Sequence, residues 1–178
     1  MIANAVTASR LVLAVPLYLL LTASGDAAAW ASLGVLVLAG LTDVVDGRIA
    51  RALNQVSKLG AMLDLISDRV LTATLAVGLI AGGRLAGPWA AAALILLARD
   101  LAVASFGEAT QGHAKFPVTR LERVKIALQF LGFGLLVAPE IIARQHQLGA
   151  WALAASAALA LVTLVGYAQR AAGALESH

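Results

Sequence analysis

Six apolar stretches of about 18 to 24 residues account for most of this 178-residue chain. A helix needs about 20 apolar residues to cross a hydrocarbon core of about 30 Å. The chain is 61% hydrophobic, only 13% of its residues are charged, and its mean hydropathy is +0.88, whereas soluble domains carry about 25% charged residues. The sequence therefore predicts an all-α integral membrane protein with six transmembrane helices.

Turn residues separate the predicted spans. Ser24-Gly25-Asp26 follows the first span, Gly87-Pro88 opens the fourth, and Pro139 closes the fifth; proline is well tolerated in the first turn of a helix. The six spans are expected at about residues 10–24, 27–52, 59–80, 88–106, 120–137 and 148–169. Little sequence lies outside them, so a single membrane domain over residues 1–178 is expected.

The distribution of Lys and Arg predicts the orientation, because cytoplasmic loops carry an excess of these residues. With the N-terminus in the cytoplasm, Arg84 and Arg144 are the loop cations that fall on the outer side. Aromatic residues are enriched at membrane interfaces, and three tryptophans begin the even-numbered spans at the outer side: Trp30, Trp89 and Trp151. Both patterns favour a cytoplasmic N-terminus.

Four aspartates interrupt the second and third apolar stretches. Asp43 and Asp46 are three residues apart, and Asp64 and Asp68 are four apart, so each pair shares one face of its helix. At a rise of about 1.5 Å per residue, Asp43 and Asp68 lie about 14 Å from the cytoplasmic ends of their spans, and the other two lie about 8 to 9 Å deep. An antiparallel hairpin would therefore bring the four carboxylates together in two facing layers.

Such a cluster needs a compensating partner. A charged Asp near the bilayer centre costs about 2.5 to 3.5 kcal/mol, and protonation, arginines or metal ions can offset that cost. Carboxylate oxygens suit Mg²⁺, Mn²⁺ or Ca²⁺, and Gly47 and Gly60 remove side-chain bulk beside them. The pattern favours a metal site for a phosphorylated ligand, in a polar cavity between helices 2 and 3 that opens to the cytoplasm. A carboxylate-based cation or proton transporter is the alternative.

The spacing of these residues resembles a family signature. Asp43-x2-Asp46-Gly47-x2-Ala50-Arg51, eight further residues, and Gly60-x3-Asp64-x3-Asp68 are similar to the signature of the CDP-alcohol phosphotransferases. The resemblance implies a homodimeric membrane enzyme that transfers a phosphatidyl group from CDP-diacylglycerol to a small or lipid alcohol and releases CMP. It also implies two divalent cations, Mg²⁺ or Mn²⁺, and a bacterial-type inner membrane location with the site facing the cytoplasm.

The resemblance further implies roles for individual residues. Asp68 would be both a metal ligand and the general base. The metal ligands would be Asp43, Asp46, Asp64 and Asp68. The residues that accommodate the CDP moiety would be Gly47, Ala50, Arg51, Ser57 and Gly60. Membrane lipids and a second copy of the chain are the other expected partners, and no nucleic-acid partner is expected.

The choice of acceptor alcohol rests on cations near spans four and five. The segments concerned are Asn54-Gln55-Val56-Ser57 before Gly60, Arg99-Asp100 in span four, and Arg123-Val124-Lys125 with Gln129 in span five. They resemble bacterial phosphatidylglycerophosphate synthases, which use glycerol 3-phosphate, and single-motif cardiolipin synthases, which use phosphatidylglycerol. Cations that would bind an acceptor phosphate are Arg99, Arg120, Arg123 and Lys125. An ion pair with a nearby aspartate is the alternative for Arg99, and contact with lipid headgroups is the alternative for Arg120.

Other residue types narrow the chemistry. The chain has no cysteine, which excludes disulfides and thiolate chemistry. Its three histidines lie outside the predicted spans and are not expected to be catalytic. Gly132 and Gly134 are expected to serve close packing between helices or between two copies of the chain.

Overall fold

The computed structural model describes residues 2–52, 58–110, 117 and 119–176, with side chains described from residue 11 onward except those of 43–59, 61 and 64. Within these residues the chain is helical and contains no strand. The helices are α1 (Ile2–Thr22), α2 (Asp26–Ala52), α3 (Lys58–Ala81), α4 (Pro88–Ala109), α5 (Arg120–Val137) and α6 (Gln145–Glu176). The predicted all-α class is confirmed, while six membrane crossings and their orientation stay predictions.

The helix bounds follow the predicted spans most closely in the middle of the chain. Helix α5 covers residues 120–137 as predicted, whereas α1 begins at Ile2 and α6 extends from Gln145 to Glu176. Hydropathy identifies the part of a helix that suits the bilayer, but backbone hydrogen bonding continues into polar residues at either end. The two terminal helices are therefore longer than their apolar stretches.

Two helices in the described part of the chain are long and apolar enough to cross a membrane by length and composition. They are Pro88–Ala109 and Gln145–Glu176. Shorter apolar segments occur at Leu11–Thr22 and Asp26–Thr42. Both segments lie within longer helices, α1 and α2.

The first compact unit runs from the N-terminus to Leu85 and includes Val137–Pro139. In it, α1 packs against both α2 and α3. The contact with α3 is close because a Cβ atom on Gly78 would lie 2.7 Å from Leu21 Cδ1, and one on Gly82 would overlap the Leu21 carbonyl oxygen. Two small residues thus let the end of α3 lie against α1.

The second compact unit consists of Ala86–Leu136 and the chain from Glu140 onward. Helix α4 packs against α6, and at one end Trp89 and Trp151 meet edge to face with their ring centroids 4.7 Å apart. Close packing also joins α5 to α6, because a Cβ on Gly132 would lie 2.7 Å from Leu153 Cγ. No described residue lies within 4 Å of such a position on Gly134, so among the described residues it is Gly132 that has the predicted packing role.

Candidate active site

Continuous helix carries each pair of signature aspartates. Asp43 and Asp46 lie in α2, and Asp64 and Asp68 lie in α3. Helical backbone at these positions gives each pair the shared face that the spacing predicts. Gly60, in the first turn of α3, is half-buried.

Asp68 is the signature aspartate whose side chain is described, and it is exposed beside the fully buried Ser67. The side chains of the other three aspartates and of Ala50 and Arg51 lie outside the description, as does Ser57 altogether. No group of three or more potential metal ligands occurs among the described side chains. The meeting of the four carboxylates therefore stays a prediction.

The donor set is nevertheless suited to the metals that the signature implies. Four carboxylates supply hard oxygen ligands only, which Mg²⁺ and Mn²⁺ prefer over the nitrogen and sulfur ligands of softer metals. The chain has no cysteine to compete for the ion. The chemistry of these residues fits hard divalent cations such as Mg²⁺ or Mn²⁺.

A second polar site lies in the other unit, where α4 meets α5 and α6. We call its four residues the ion cluster: Arg99, Asp100, Glu122 and Lys125. Arg99 pairs through Nη2 with Glu122 Oε2 at 2.7 Å and through Nη1 with Asp100 Oδ1 at 3.0 Å. Lys125 Nζ lies 3.2 Å from the same Asp100 oxygen and 3.3 Å from Glu122 Oε1. The cluster thus links α4 to α5 through two cations and two carboxylates.

The ion cluster is buried except at one edge. The side chains of Arg99, Glu122 and Lys125 are 5%, 8% and 3% exposed, whereas that of Asp100 is 24% exposed. Ion pairs that are removed from solvent are screened far less than surface pairs. Asp100 is therefore the edge of the cluster at which solvent and solutes approach.

Residues of α6 complete the surroundings of the cluster. Arg99 Nη2 donates a hydrogen bond to Thr163 Oγ1 at 3.1 Å, and its guanidinium carbon lies 5.2 Å from the centre of the Tyr167 ring, within the range of a cation–π contact. Ser156 Oγ donates to the Lys125 carbonyl at 2.9 Å. The Arg99 guanidinium therefore contacts residues of all three helices, and the backbone of Lys125 is hydrogen-bonded to α6.

One donor in this site is unused. Arg99 Nε is buried and has no hydrogen-bond partner among the described residues. Buried polar atoms are nearly always hydrogen-bonded, so an unpaired guanidinium nitrogen beside two satisfied ones is unusual. The two carboxylates of the cluster therefore leave one of its buried N–H donors without a hydrogen bond among the described residues.

The four predicted acceptor cations divide into two kinds. Arg120 and Arg123 lie in the first turn of α5 with exposed side chains. Arg99 and Lys125 are buried in the ion cluster, which includes the Arg99–aspartate pair that was the alternative for that residue. Their binding of an acceptor phosphate stays a prediction.

Sequence reasoning missed Glu122. It precedes Lys125 by three residues, a spacing that is typical of an ordinary pair on a helix surface. Its backbone N–H donates to Thr119 Oγ1 at 3.2 Å, which caps the start of α5. No local signal identifies it, because the same spacing describes a pair on a helix surface equally well.

Comparisons with known proteins bear on both sites. Residues 1–164 match the CDP-alcohol phosphatidyltransferase family. Over 174 residues the chain is 32% identical to a probable phosphatidylglycerophosphate synthase of Mycobacterium tuberculosis, covering 96% of this chain and 81% of that protein. Over 132 residues it is 33% identical to a putative cardiolipin synthase of the same organism, covering 73% of this chain and 61% of the relative.

A further relative carries a more specific name. The chain is 36% identical over 115 residues to the CDP-diacylglycerol–glycerol-3-phosphate 3-phosphatidyltransferase of Cereibacter sphaeroides. That match covers 60% of this chain and about half, 52%, of the relative.

The family match includes the whole of α2 and α3 and therefore all eight signature residues. It extends through α4 and α5, which carry the ion cluster. The resemblance that the signature indicated is confirmed, and with it the predicted class of transferase. The chain is a membrane enzyme of phospholipid biosynthesis that belongs to the CDP-alcohol phosphatidyltransferase family.

Proposed function

We propose that this chain transfers the phosphatidyl group of CDP-diacylglycerol to glycerol 3-phosphate and releases CMP. The observation that carries the proposal is the complete aspartate signature on α2 and α3 in a chain that is similar along 96% of its length to a probable phosphatidylglycerophosphate synthase. Family membership over residues 1–164 leaves the transporter alternative without support.

Two divalent cations, Mg²⁺ or Mn²⁺, would be held by Asp43, Asp46, Asp64 and Asp68. Bound there, they would supply positive charge opposite the diphosphate and the departing CMP. Gly47 and Gly60 leave room for the CDP moiety to approach the backbone, and Arg51 would bind a phosphate oxygen. Ala50 and Ser57 complete the proposed CDP-binding residues.

Asp68 is the proposed general base. Its side chain is exposed on α3, and a general base must reach the proton that it removes. The acceptor hydroxyl gives its proton to the Asp68 carboxylate as its oxygen bonds to the phosphorus that carries diacylglycerol. The bond from that phosphorus to the bridging diphosphate oxygen breaks, and CMP leaves with the electron pair.

The acceptor phosphate is the part of the substrate that α4 and α5 would bind. Arg120 and Arg123 are exposed at the start of α5, where each can donate more than one hydrogen bond to a phosphate. Arg99 and Lys125 lie deeper, in the ion cluster. We place these residues at the cytoplasmic face of the bacterial inner membrane, in a homodimer surrounded by membrane lipids.

The reaction is tested with purified protein, CDP-diacylglycerol, Mg²⁺ or Mn²⁺, and a panel of acceptor alcohols, with CMP release as the readout. We expect CMP with glycerol 3-phosphate, its loss on chelation of the metal, and its return when the metal is restored. Absence of CMP with every alcohol would contradict phosphatidyl transfer.

Cardiolipin synthesis is the second candidate, because one relative at 33% identity is a putative cardiolipin synthase. The same panel separates the two reactions. CMP release with phosphatidylglycerol but not with glycerol 3-phosphate would establish the second candidate and exclude the first.

A further inference from the structure

The ion cluster contains two cations and two carboxylates, so its formal charge is zero. An anion that approaches it meets no net positive charge and finds both cations already paired. Burial makes these pairs costly to break, because removing one partner leaves an uncompensated charge out of solvent. A solute that replaces a carboxylate with an equivalent anionic group keeps both cations paired, and the cost is avoided when the displaced carboxylate reaches solvent.

Glu122 bridges the two cations with its two oxygens. Oε2 is 2.7 Å from Arg99 Nη2, and Oε1 is 3.3 Å from Lys125 Nζ. A phosphate presents the same arrangement of anionic oxygens to two cations and has one more terminal oxygen to offer. The buried Arg99 Nε, which lacks a partner among the described residues, is a donor that this third oxygen could accept from.

We propose that Glu122 is a specificity-determining residue that occupies the place of the acceptor's phosphate. In this inference, which rests on the proposed transfer to glycerol 3-phosphate, the phosphate exchanges with the Glu122 carboxylate on Arg99 and Lys125. The displaced carboxylate turns to solvent as the phosphate takes its place. The partly exposed Asp100 is the edge at which the anion enters. An uncharged alcohol cannot displace Glu122, so the exchange selects phosphorylated acceptors.

The test is the Glu122→Gln substitution, which keeps the size of the side chain and removes its charge. Because the internal competitor is lost, a larger fraction of the protein can bind phosphate, and the apparent affinity rises with that fraction. We expect the KM for glycerol 3-phosphate and the inhibition constant of inorganic phosphate both to fall about three- to tenfold. A Glu122→Asp variant, which keeps the charge, should stay near the parent values.

A second readout does not depend on turnover. Glu122→Gln leaves two buried cations short of a partner, so its melting temperature without ligand should be lower than that of the parent protein. Inorganic phosphate should raise the melting temperature more in this variant than in the parent, since a ligand that binds the folded state stabilises it. Glu108→Gln, which removes an exposed carboxylate from α4, is the matched control and should change neither quantity.

The opposite results would overturn the inference. A KM that is unchanged or raised in Glu122→Gln, with the same phosphate-induced shift as the parent, would make Glu122 a structural ion-pair partner. If this variant does not fold, Asp100→Asn gives the same test at a more exposed position, and the same fall in KM is expected. Parent protein that releases CMP only with phosphatidylglycerol would contradict the proposed acceptor, whereas the phosphate-induced melting shifts would still decide the exchange.

Discussion

At the residue scale, Asp68 is where the proposed chemistry depends on a single side chain. Replacing it with Asn keeps its size but removes both the proton acceptor and a negative ligand. We expect the Asp68→Asn variant to release CMP at least about 100-fold more slowly, the lower end of what general acid–base catalysis contributes. The measurement is the rate of CMP release at saturating CDP-diacylglycerol, glycerol 3-phosphate and metal.

The matched control is Asp26→Asn, which removes an exposed aspartate from the first turn of α2. It should leave the rate near that of the parent protein. Turnover near the parent rate in Asp68→Asn would show that another group accepts the proton.

Arg123 offers a separate test of the acceptor site, because its side chain is exposed and lies outside the ion cluster. We expect Arg123→Ala to raise the KM for glycerol 3-phosphate about tenfold, which corresponds to about 1.4 kcal/mol of lost binding, with little change in kcat. Lys125→Ala would address the same question less cleanly, since it also breaks buried ion pairs.

Arg144→Ala, at an exposed position between α5 and α6, is the control for loss of one cation. An unchanged KM in Arg123→Ala would leave this residue with a role in membrane orientation or lipid contact only.

Residue roles differ in how far the sequence predicts them. The signature aspartates could be found from the sequence, because their spacing predicts that each pair lies on one face of a helix within an apolar stretch. Glu122 could not, because the same three-residue spacing from Lys125 describes a solvent-exposed pair equally well. Its burial depends on the packing of α5 against α4, which a local pattern does not contain.

At the element scale, two glycines in α5 are expected to respond differently when each is replaced by alanine. A Cβ on Gly132 would lie 2.7 Å from Leu153 Cγ and 3.0 Å from the Gly149 carbonyl oxygen, whereas a Cβ on Gly134 would have no atom of a described residue within 4 Å. Overpacking of a close contact costs about 1 to 3 kcal/mol. We therefore expect Gly132→Ala to lower the melting temperature of the detergent-solubilised protein.

Gly134→Ala is the control in the same helix and should be neutral or slightly stabilising, since alanine favours helix over glycine by up to about 1 kcal/mol. Equal destabilisation by both substitutions would contradict the close contact between α5 and α6. The sequence could not separate these glycines, because it shows the absence of a side chain but not the neighbour that requires it.

Helix bounds were predictable where a strong signal ends the apolar stretch. Pro88 begins α4 and Val137 ends α5 just before Pro139, as predicted. The N-terminal part of α1 and the C-terminal part of α6 were not predicted, because polar residues there continue the helix without continuing the apolar pattern. Hydrogen bonding along the backbone decides where a helix ends, and hydropathy reports it only indirectly.

At the scale of the whole molecule, composition predicts a membrane protein but not which helices contact each other. Within one unit α1 packs on α2 and α3, and within the other α4 packs on α6. In lipid, helix association depends on small residues that permit close approach and on polar contacts. Gly78, Gly82 and Gly132 mark such contacts, but their partners become known only from the structure.

Orientation is the prediction that concerns the entire chain, and the absence of cysteine makes it directly measurable. Single cysteines can be placed at Ala143, which is exposed between α5 and α6, and at Ala172, which is exposed near the end of α6. With a cytoplasmic N-terminus and six crossings, Ala143→Cys faces outward and Ala172→Cys faces the cytoplasm.

We therefore expect a membrane-impermeant maleimide to label Ala143→Cys in intact bacterial cells, or in spheroplasts where an outer membrane is present, and to label Ala172→Cys only after permeabilisation. A permeant maleimide, which should label both variants, is the control for reactivity. Labelling of both cysteines from outside would contradict a crossing by α6, and the reversed pattern would place the N-terminus outside. The reversed pattern would also move the signature aspartates of α2 and α3 away from the cytoplasmic supply of glycerol 3-phosphate, because the depth argument ties them to the side on which α2 ends.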